Sequence, residues 1–362
     1  MSRSLKQLGF NNFFSEQAER YGIGQPYRVV EDFGLRFVVS GENPQQPAGE
    51  AGHFRLVFAR KSPRMPIIGD WILGLPTATG EVEFVDMLER ATCFQRSHSE
   101  EGTQARAQLL AANVDKLFIV TSCTDEFNLS RLERYLLLAR VNRIAPVLVL
   151  NKADLVDEHS TYIEQIAELG HGIPLCVVST VSESHAARGI TPLEALLHEG
   201  ETCVLVGSSG VGKSSIVNAL IGTQRQSTLA VSAKGARGAH TTTSRSLFVL
   251  PGRGVIIDTP GIRSVGVTAD EDSLHDAFED VTQLMRQCAF RNCGHNGEAG
   301  CAIALALDEG RLSARRLSSY RKLQREAAFF DDKQAAQRRQ RDEGKQRAAR
   351  RISRERFERE PK

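Results

Sequence analysis

One octapeptide, Gly207-Ser208-Ser209-Gly210-Val211-Gly212-Lys213-Ser214, constrains the fold more than any other part of the sequence. It matches the phosphate-loop pattern G-x-x-x-x-G-K-[ST] and lies between a strand-like run, Cys203–Val206, and a run with helical spacing, Ile216–Ile221. Backbone N–H groups of this loop, continuing to Ser215, are expected to hold phosphate oxygens. Lys213 is expected to contact the β- and γ-phosphates, and Ser214 to bind Mg²⁺.

A second motif, Asn151-Lys152-Ala153-Asp154, follows the strand-like run Pro146–Leu150 and indicates which base is bound. The Asp154 carboxylate can accept hydrogen bonds from N1–H and the exocyclic amine of guanine. Adenine presents neither donor there, so such a site rejects ATP. Asn151 is expected to hold the loop and reach the base edge, and the stem of Lys152 to pack over the base.

A third motif, Asp258-Thr259-Pro260-Gly261, ends the strand-like run Gly254–Ile257. Asp258 is expected to hold Mg²⁺ through a water, and the Gly261 N–H to meet the γ-phosphate. Ser179-Thr180 follows another strand-like run and is expected to offer a backbone N–H to guanine O6.

In Ras-like GTPases the phosphate loop comes first and the guanine motif late. Here the order is reversed, which indicates a circularly permuted GTPase opened at an exposed loop.

The sequence lacks a glutamine directly after the third motif. Ile262 follows Gly261, where a Ras-like enzyme carries the glutamine that orients the attacking water. His240 is the nearest candidate for that role, because it precedes Thr241–Thr243, of which Thr242 is expected to ligate Mg²⁺. The alternative is that His240 is a surface residue with no part in the chemistry.

Short alternating runs before about residue 100 indicate five strands of a small barrel, of the OB or the SH3-like kind. From about Ala111, strand-like and helical runs alternate, which is typical of a parallel sheet covered by helices. The predicted barrel strands are Tyr27–Val30, Leu35–Val39, Phe54–Ala59, Trp71–Leu73 and Val82–Val85.

Four potential zinc ligands, Cys288, Cys293, His295 and Cys301, cluster near the end of the chain. Three thiolates and an imidazole form the ligand set of a closed structural zinc site, which leaves no position for a catalytic water. The alternative is three reduced cysteines and a surface histidine. Predicted helices, Asp272–Met285 and Leu312–Phe330, flank the cluster.

The charge of the chain is unevenly distributed. Residues 311–362 hold 18 Lys and Arg against 8 Asp and Glu, although the whole chain has a net charge of only +2. A basic tail on an acidic body favours a polyanionic partner such as RNA. No apolar run approaches the ~18 residues that span a bilayer, and the N-terminus lacks a secretory signal. We therefore expect a cytoplasmic protein with no membrane contact.

The permuted motifs, the His240–Thr243 segment, Gly69-Asp70 in the strand-rich region and the Cys/His cluster resemble the ribosome small-subunit-dependent GTPase A (RsgA) family over almost the entire chain. Ala239 departs from the longer polar residue usual there. The resemblance implies a multidomain protein with an OB-fold, a circularly permuted GTPase domain and a zinc-binding helical domain. We place these at residues 1–100, 101–270 and 271–330, followed by a basic helical or disordered tail, 331–362.

The resemblance also implies a GTPase that acts late in maturation of the small (30S) ribosomal subunit. Such a protein would bind that subunit and its 16S rRNA as a monomer, exchange GTP and GDP with Mg²⁺, and hydrolyse GTP faster on the subunit. The alternative is a GTP-regulated RNA-binding module in which hydrolysis is incidental.

Overall fold

The structure is a computed structural model that describes residues 3–42, 51–59, 64–98, 106–170, 172–181, 189–222, 245–250, 252–258 and 271–329. The chain divides into two compact units, Met1–Gln95 with Leu109–Val265, and Arg96–Gln108 with Gly266–Lys362. The division into four functional segments stays a prediction. Within the described ranges, no helix is both long enough and apolar enough to cross a membrane.

A closed barrel of five strands forms the N-terminal part of the first unit. The strands follow the order β1-β2-β3-β5-β4, and β4 pairs back with β1. All pairs are antiparallel except β3 with β5. This closure is that of an OB-fold and excludes the SH3-like alternative. The strands are β1 (Gln25–Asp32), β2 (Phe37–Glu42), β3 (Ala51–Val57), β4 (Trp71–Pro76) and β5 (Val82–Met87).

Two helices that the sequence analysis did not predict precede the barrel: α1 (Arg3–Gln7) and α2 (Asn12–Tyr21). Phe14 of α2 and Phe10 before it pack against Trp71, with ring centroids 5.8 and 4.8 Å from the Trp71 ring. A hairpin of β6 (Cys93–His98) and β7 (Arg106–Ala112) was also unforeseen. The segment assigned to the barrel therefore contains more than the barrel.

The GTPase part of this unit is a six-stranded sheet in the order β10-β9-β8-β11-β13-β12. Its first five strands are parallel, and β12 is antiparallel to β13. The strand that leads into the phosphate loop, β11, lies centrally, while β9, which leads into the guanine motif, comes earlier in the chain. The strands are β8 (Lys116–Ser122), β9 (Ala145–Asn151), β10 (Leu175–Val177), β11 (Thr202–Gly207), β12 (Arg245–Val249) and β13 (Val255–Asp258).

Helices cover this sheet, because the central residues of its parallel strands are apolar and must be buried on both faces. The predicted α/β alternation is confirmed; among the described strands of this sheet, β12 was not predicted. The helices are α3 (Leu129–Val141), α4 (Ser160–Ala167), α5 (Thr191–Glu194) and α6 (Lys213–Ile221).

The barrel and the GTPase sheet form one continuous sheet of 11 strands, because β12 pairs with β1. An ion pair of 3.7 Å joins Arg245 of β12 to Asp32 of β1. Gly69 lies at the same junction, with φ +86°, and a Cβ there would lie 2.3 Å from the Ala112 carbonyl oxygen. Only glycine fits such a close approach of two backbones.

In the second unit, the described residues 271–329 contain four helices, and the described part of Arg96–Gln108 belongs to β6 and β7. Arg316 anchors its core: the guanidinium donates to both Asp280 carboxylate oxygens and lies 4.1 Å from the centre of the Phe278 ring. Tyr320 packs edge-on against the same ring. The helices are α7 (Glu271–Ala277), α8 (Glu279–Arg286), α9 (Ala302–Asp308) and α10 (residues 314–329).

Candidate functional site

The nucleotide motifs meet at one edge of the GTPase sheet. Strands β9, β11 and β13 are parallel to one another within the sheet and end at Asn151, Gly207 and Asp258. Ser179 follows β10 at the same edge. Ligands of open α/β sheets bind at this carboxyl edge. The permuted order of the motifs therefore does not separate them in space.

The phosphate loop connects β11 to α6. Gly212 is the residue before the helix, with φ +95°, and a Cβ there would lie 2.2 Å from Nδ2 of Asn151. Lys213 Nζ donates to the carbonyl oxygens of Gly207 at 2.8 Å and Ser208 at 2.5 Å. Ser214 and Ser215, in the first turn of α6, are exposed. An open helix N-terminus with an ammonium group beside it suits an anion.

Asn151 connects the guanine motif to the phosphate loop. Its side-chain Nδ2 donates to the carbonyl oxygen of Val211 over 2.9 Å, across 60 residues of sequence. Its Oδ1 atom is buried with no protein partner among the described residues. A buried amide oxygen without a donor is costly, so this atom is a candidate acceptor for a donor supplied by a ligand or a water.

Asp154 is held from the neighbouring loop. Ser179 Oγ donates to Asp154 Oδ1 over 2.5 Å, and the Val181 N–H donates to Ser179 Oγ over 3.2 Å. The Ala153 N–H donates to the Val178 carbonyl, which fixes the two loops side by side. Lys152 adopts the left-handed conformation with φ 57°. Thr180 is half-buried beside Ser179.

Helix α3 contacts the phosphate loop from another side, which the sequence analysis missed. Arg131 Nη1 donates to Ser208 Oγ, and the buried phenol of Tyr135 lies beside the backbone of Gly207. The available signal was the spacing of four residues between Arg131 and Tyr135, which places both side chains on one face of a helix.

Several predicted site residues lie outside the described residues: His240, Thr242 and Gly261. Their roles stay predictions. Asp258 is described at the end of β13, opposite Ser246 of β12.

The four predicted zinc ligands come together in the second unit. One ligand atom from each of Cys288, Cys293, His295 and Cys301 lies within 4.8 Å of the others. Sulfur atoms that share a tetrahedral zinc at about 2.3 Å lie about 3.8 Å apart. Cys288 Sγ is 3.4 Å from His295 Nδ1. The cluster thus has the ligand types and nearly the spacing that zinc requires.

The loop between the zinc ligands is tied down by Glu298 and Arg321. The Glu298 carboxylate accepts from the Gly294 N–H at 3.0 Å and the Asn296 N–H at 2.7 Å. Arg321 donates to the His295 carbonyl over 2.5 Å. These bonds fix the turn that carries His295, whose φ is 57°.

The sequence comparisons agree with this geometry. The profile of the RsgA GTPase family matches residues 87–268. The small ribosomal subunit biogenesis GTPase RsgA 2 of Vibrio parahaemolyticus is 39% identical over 343 residues, which cover 94% of this chain and 90% of that one. The corresponding RsgA of Methanosarcina acetivorans is 38% identical over 271 residues, covering 75% of this chain and 72% of that one.

Solved structures match the fold. YjeQ of Thermotoga maritima superposes with a TM-score of 0.61 at 25% identity and covers 84% of this chain and 98% of its own. YloQ, described as a circularly permuted GTPase, gives a TM-score of 0.57 at 22% identity and covers 84% of this chain and 94% of its own. The permuted arrangement seen in the strand order is thus shared with YloQ.

Proposed function

The chain belongs to the RsgA GTPase family, and from this we propose that it is a GTP hydrolase that acts in late maturation of the small (30S) ribosomal subunit. The 2.9 Å bond from Asn151 to Val211 carries the proposal at the level of structure, because it joins the guanine motif to the phosphate loop. A P-loop without a guanine motif would not choose its base.

We assign the nucleotide contacts to the motif residues at the carboxyl edge of the sheet. Asp154 reads guanine, Asn151 holds the loop against the base, and the loop from Gly207 to Ser215 binds the phosphates through its N–H groups. Lys213, now bonded to loop carbonyls, turns to the phosphates when GTP enters. Thr180 and Ser179 line the base side.

The metal ions have separate tasks. Mg²⁺ would be held by Ser214 and Thr242, with Asp258 acting through a water, and it supplies charge neutralisation at the β- and γ-phosphates. Gly261 and His240 are assigned to the γ-phosphate and to the attacking water. Zinc, one ion per chain, would be held by Cys288, Cys293, His295 and Cys301 as a structural ion that stabilises the second unit.

The partners follow from the relatives and the charge. The small-subunit name of the relatives and the basic segment 331–362 support binding to 16S rRNA, with the OB barrel as a second contact surface. We infer a cytoplasmic monomer. Removal of residues 331–362 should flatten the salt dependence of subunit binding without changing GTP affinity.

Turnover measured with and without purified small subunits tests the function. Slow intrinsic hydrolysis that small subunits accelerate supports a GTPase checkpoint. Subunit binding that depends on GTP, but with no acceleration of hydrolysis, would favour the GTP-regulated RNA-binding module. Binding of neither GTP nor the subunit would contradict both.

A further inference from the structure

One face of α3 holds the beginning of the phosphate loop. Arg131 and Tyr135 are four residues apart on this helix and contact the consecutive loop residues Ser208 and Gly207. The Arg131 guanidinium donates to the Ser208 hydroxyl, and the phenol of Tyr135 lies beside the Gly207 backbone. The Ser208 side chain is thus held from outside the nucleotide motifs.

Those two loop residues lie at the end of the site that takes the terminal phosphates. Lys213 Nζ donates to the carbonyl oxygens of the same residues, Gly207 and Ser208. The lysine of a phosphate loop contacts the β- and γ-phosphates, so the position of its ammonium group marks that end. A shift of Ser208 would therefore disturb the end of the loop that receives the γ-phosphate, which GTP has and GDP lacks.

The contacts around Arg131 hold its side chain in place beside the phosphate loop. Its side chain is 39% exposed and also donates to Glu126 over 3.0 Å. The N-cap Asn128 accepts from the Arg131 N–H, so the residue lies in a capped first turn. Tyr135 is 2% exposed, and burial raises the pKa of its phenol, which keeps the group neutral beside the loop.

We propose that Arg131 is a positioning residue for GTP hydrolysis, which acts through the Ser208 hydroxyl to hold the phosphate loop in the form that receives the γ-phosphate. This rests on the proposed GTPase function. Its guanidinium fixes the loop before the nucleotide enters, so the loop does not have to be ordered during the reaction. Arg131 then favours the binding of GTP over that of GDP, because only GTP has a γ-phosphate to place against the Ser208 end of the loop.

The test compares Arg131→Met, Arg131→Lys and Ser208→Ala with the wild type and with Arg140→Met. Arg140 is exposed in the last turn of the same helix, and its replacement by Met removes the same charge. GTP and GDP affinities, kcat and the melting temperature are measured for each. Loss of a charge-assisted hydrogen bond is worth roughly tenfold in affinity.

For Arg131→Met we expect a roughly tenfold loss of GTP affinity and of kcat, with GDP affinity and melting temperature close to wild type. Ser208→Ala should reproduce these losses. The combination of Arg131→Met with Ser208→Ala should lose little more than either change alone. Arg131→Lys should recover part of the loss. Arg140→Met should behave as wild type. If Arg131→Met does not fold, Arg131→Lys and Ser208→Ala decide by the same GTP-to-GDP ratio.

An unchanged GTP-to-GDP affinity ratio and kcat in Arg131→Met or Ser208→Ala would overturn the proposal. Equal losses for GTP and GDP would do so as well, because they indicate a merely structural role. The wild type in the same assays separates the two proposals: if it neither binds nor hydrolyses GTP, the proposed function fails rather than the role of Arg131.

Discussion

Ser179 donates its hydroxyl proton to Oδ1 of Asp154 over 2.5 Å, from a loop 25 residues further along the chain. A carboxylate has about four lone-pair positions, so this bond orients Asp154 and leaves acceptor capacity for the base. The bond explains how a half-buried carboxylate can be held ready for two guanine donors before GTP arrives.

Replacement of Asp154 by Asn should change the base that the site accepts. The new amide donates where the carboxylate accepted, so we expect GTP affinity to fall by roughly two to four orders of magnitude and affinity for xanthosine nucleotides to rise. Competition binding with GTP and XTP measures the exchange.

The control for this change is Asp157→Asn, three residues further along, exposed, and with the same loss of charge. It should leave GTP affinity unchanged. If Asp154→Asn binds GTP as tightly as the wild type, Asp154 does not contact the base.

The elements that the sequence predicted well are those whose signal is local. Strand β11 (Thr202–Gly207) is fully buried and its central run, Cys203–Val206, is apolar, and the glycine-rich loop after it has the spacing of its motif. In contrast, β12 (Arg245–Val249) is short and carries polar residues, and its place is set by pairing with β1, more than 200 positions earlier. A strand whose position depends on pairing at such a distance in sequence has no local periodicity from which it can be predicted.

The same distinction applies within the site. Asn151 and Asp154 were predicted because their motif is contiguous. Arg131 and Tyr135 were not, because their role depends on α3 lying beside the phosphate loop. The barrel type was also open at the sequence level, since five strands fit two topologies until the pairing of β4 with β1 is known.

Removal of zinc should destabilise the second unit and leave GTP binding unchanged. The ligands are held together by the ion, and every nucleotide motif lies in the first unit. We expect about one zinc per chain by elemental analysis, and loss of it in Cys293→Ser together with a lower melting temperature. Cys93→Ser, in the first unit and outside the cluster, is the control. Protein purified without chelators that contains no zinc would contradict the assignment.

His240 lies outside the described residues, and its role rests on sequence. Ile262 stands where Ras-like enzymes have the glutamine that orients the attacking water, and its side chain cannot form a hydrogen bond to that water. We therefore expect His240→Ala to keep its GTP affinity and to lose the rate that small subunits stimulate, by roughly 10²–10⁴-fold, as for loss of a positioned proton-transfer group. Single-turnover hydrolysis on small subunits measures this. A variant that binds the subunit and reaches the full stimulated rate would show that the water is oriented by another group.

Arg28 should be among the side chains on which the first unit depends most for stability. It is 1% exposed, and its guanidinium donates to Leu8 O, Gly69 O and Asn113 O and to Thr202 Oγ. These acceptors lie just after α1, just before β4 of the barrel, between β7 and β8, and at the first residue of β11. Burial lowers the pKa of Arg28 to about 10, against the charges of Asp115 and Asp70, so the side chain is cationic at neutral pH.

In Arg28→Met, Leu8 O, Asn113 O and Thr202 Oγ lose this donor, whereas Gly69 O keeps its bond from Asn113 Nδ2 at 3.0 Å. Each unsatisfied group costs about 1–3 kcal/mol. Even with partial relaxation we expect a loss of about 3 kcal/mol or more. For a unit of this size that lowers the melting temperature by about 6–12 °C. Arg28→Lys should lose part of this, because one ammonium cannot reach groups that a planar guanidinium spans.

The control is Arg55→Met on β3, whose side chain is 67% exposed and pairs with Glu81 at 3.4 Å. A surface pair of this kind is worth about 0–1 kcal/mol, so its melting temperature should stay within a few degrees of wild type. Calorimetry on the full chain compares the three variants. If Arg28→Met has the same melting temperature as Arg55→Met, the acceptors of Arg28 find other donors. The hydrogen bonds of Arg28 then do not contribute to the stability of the first unit.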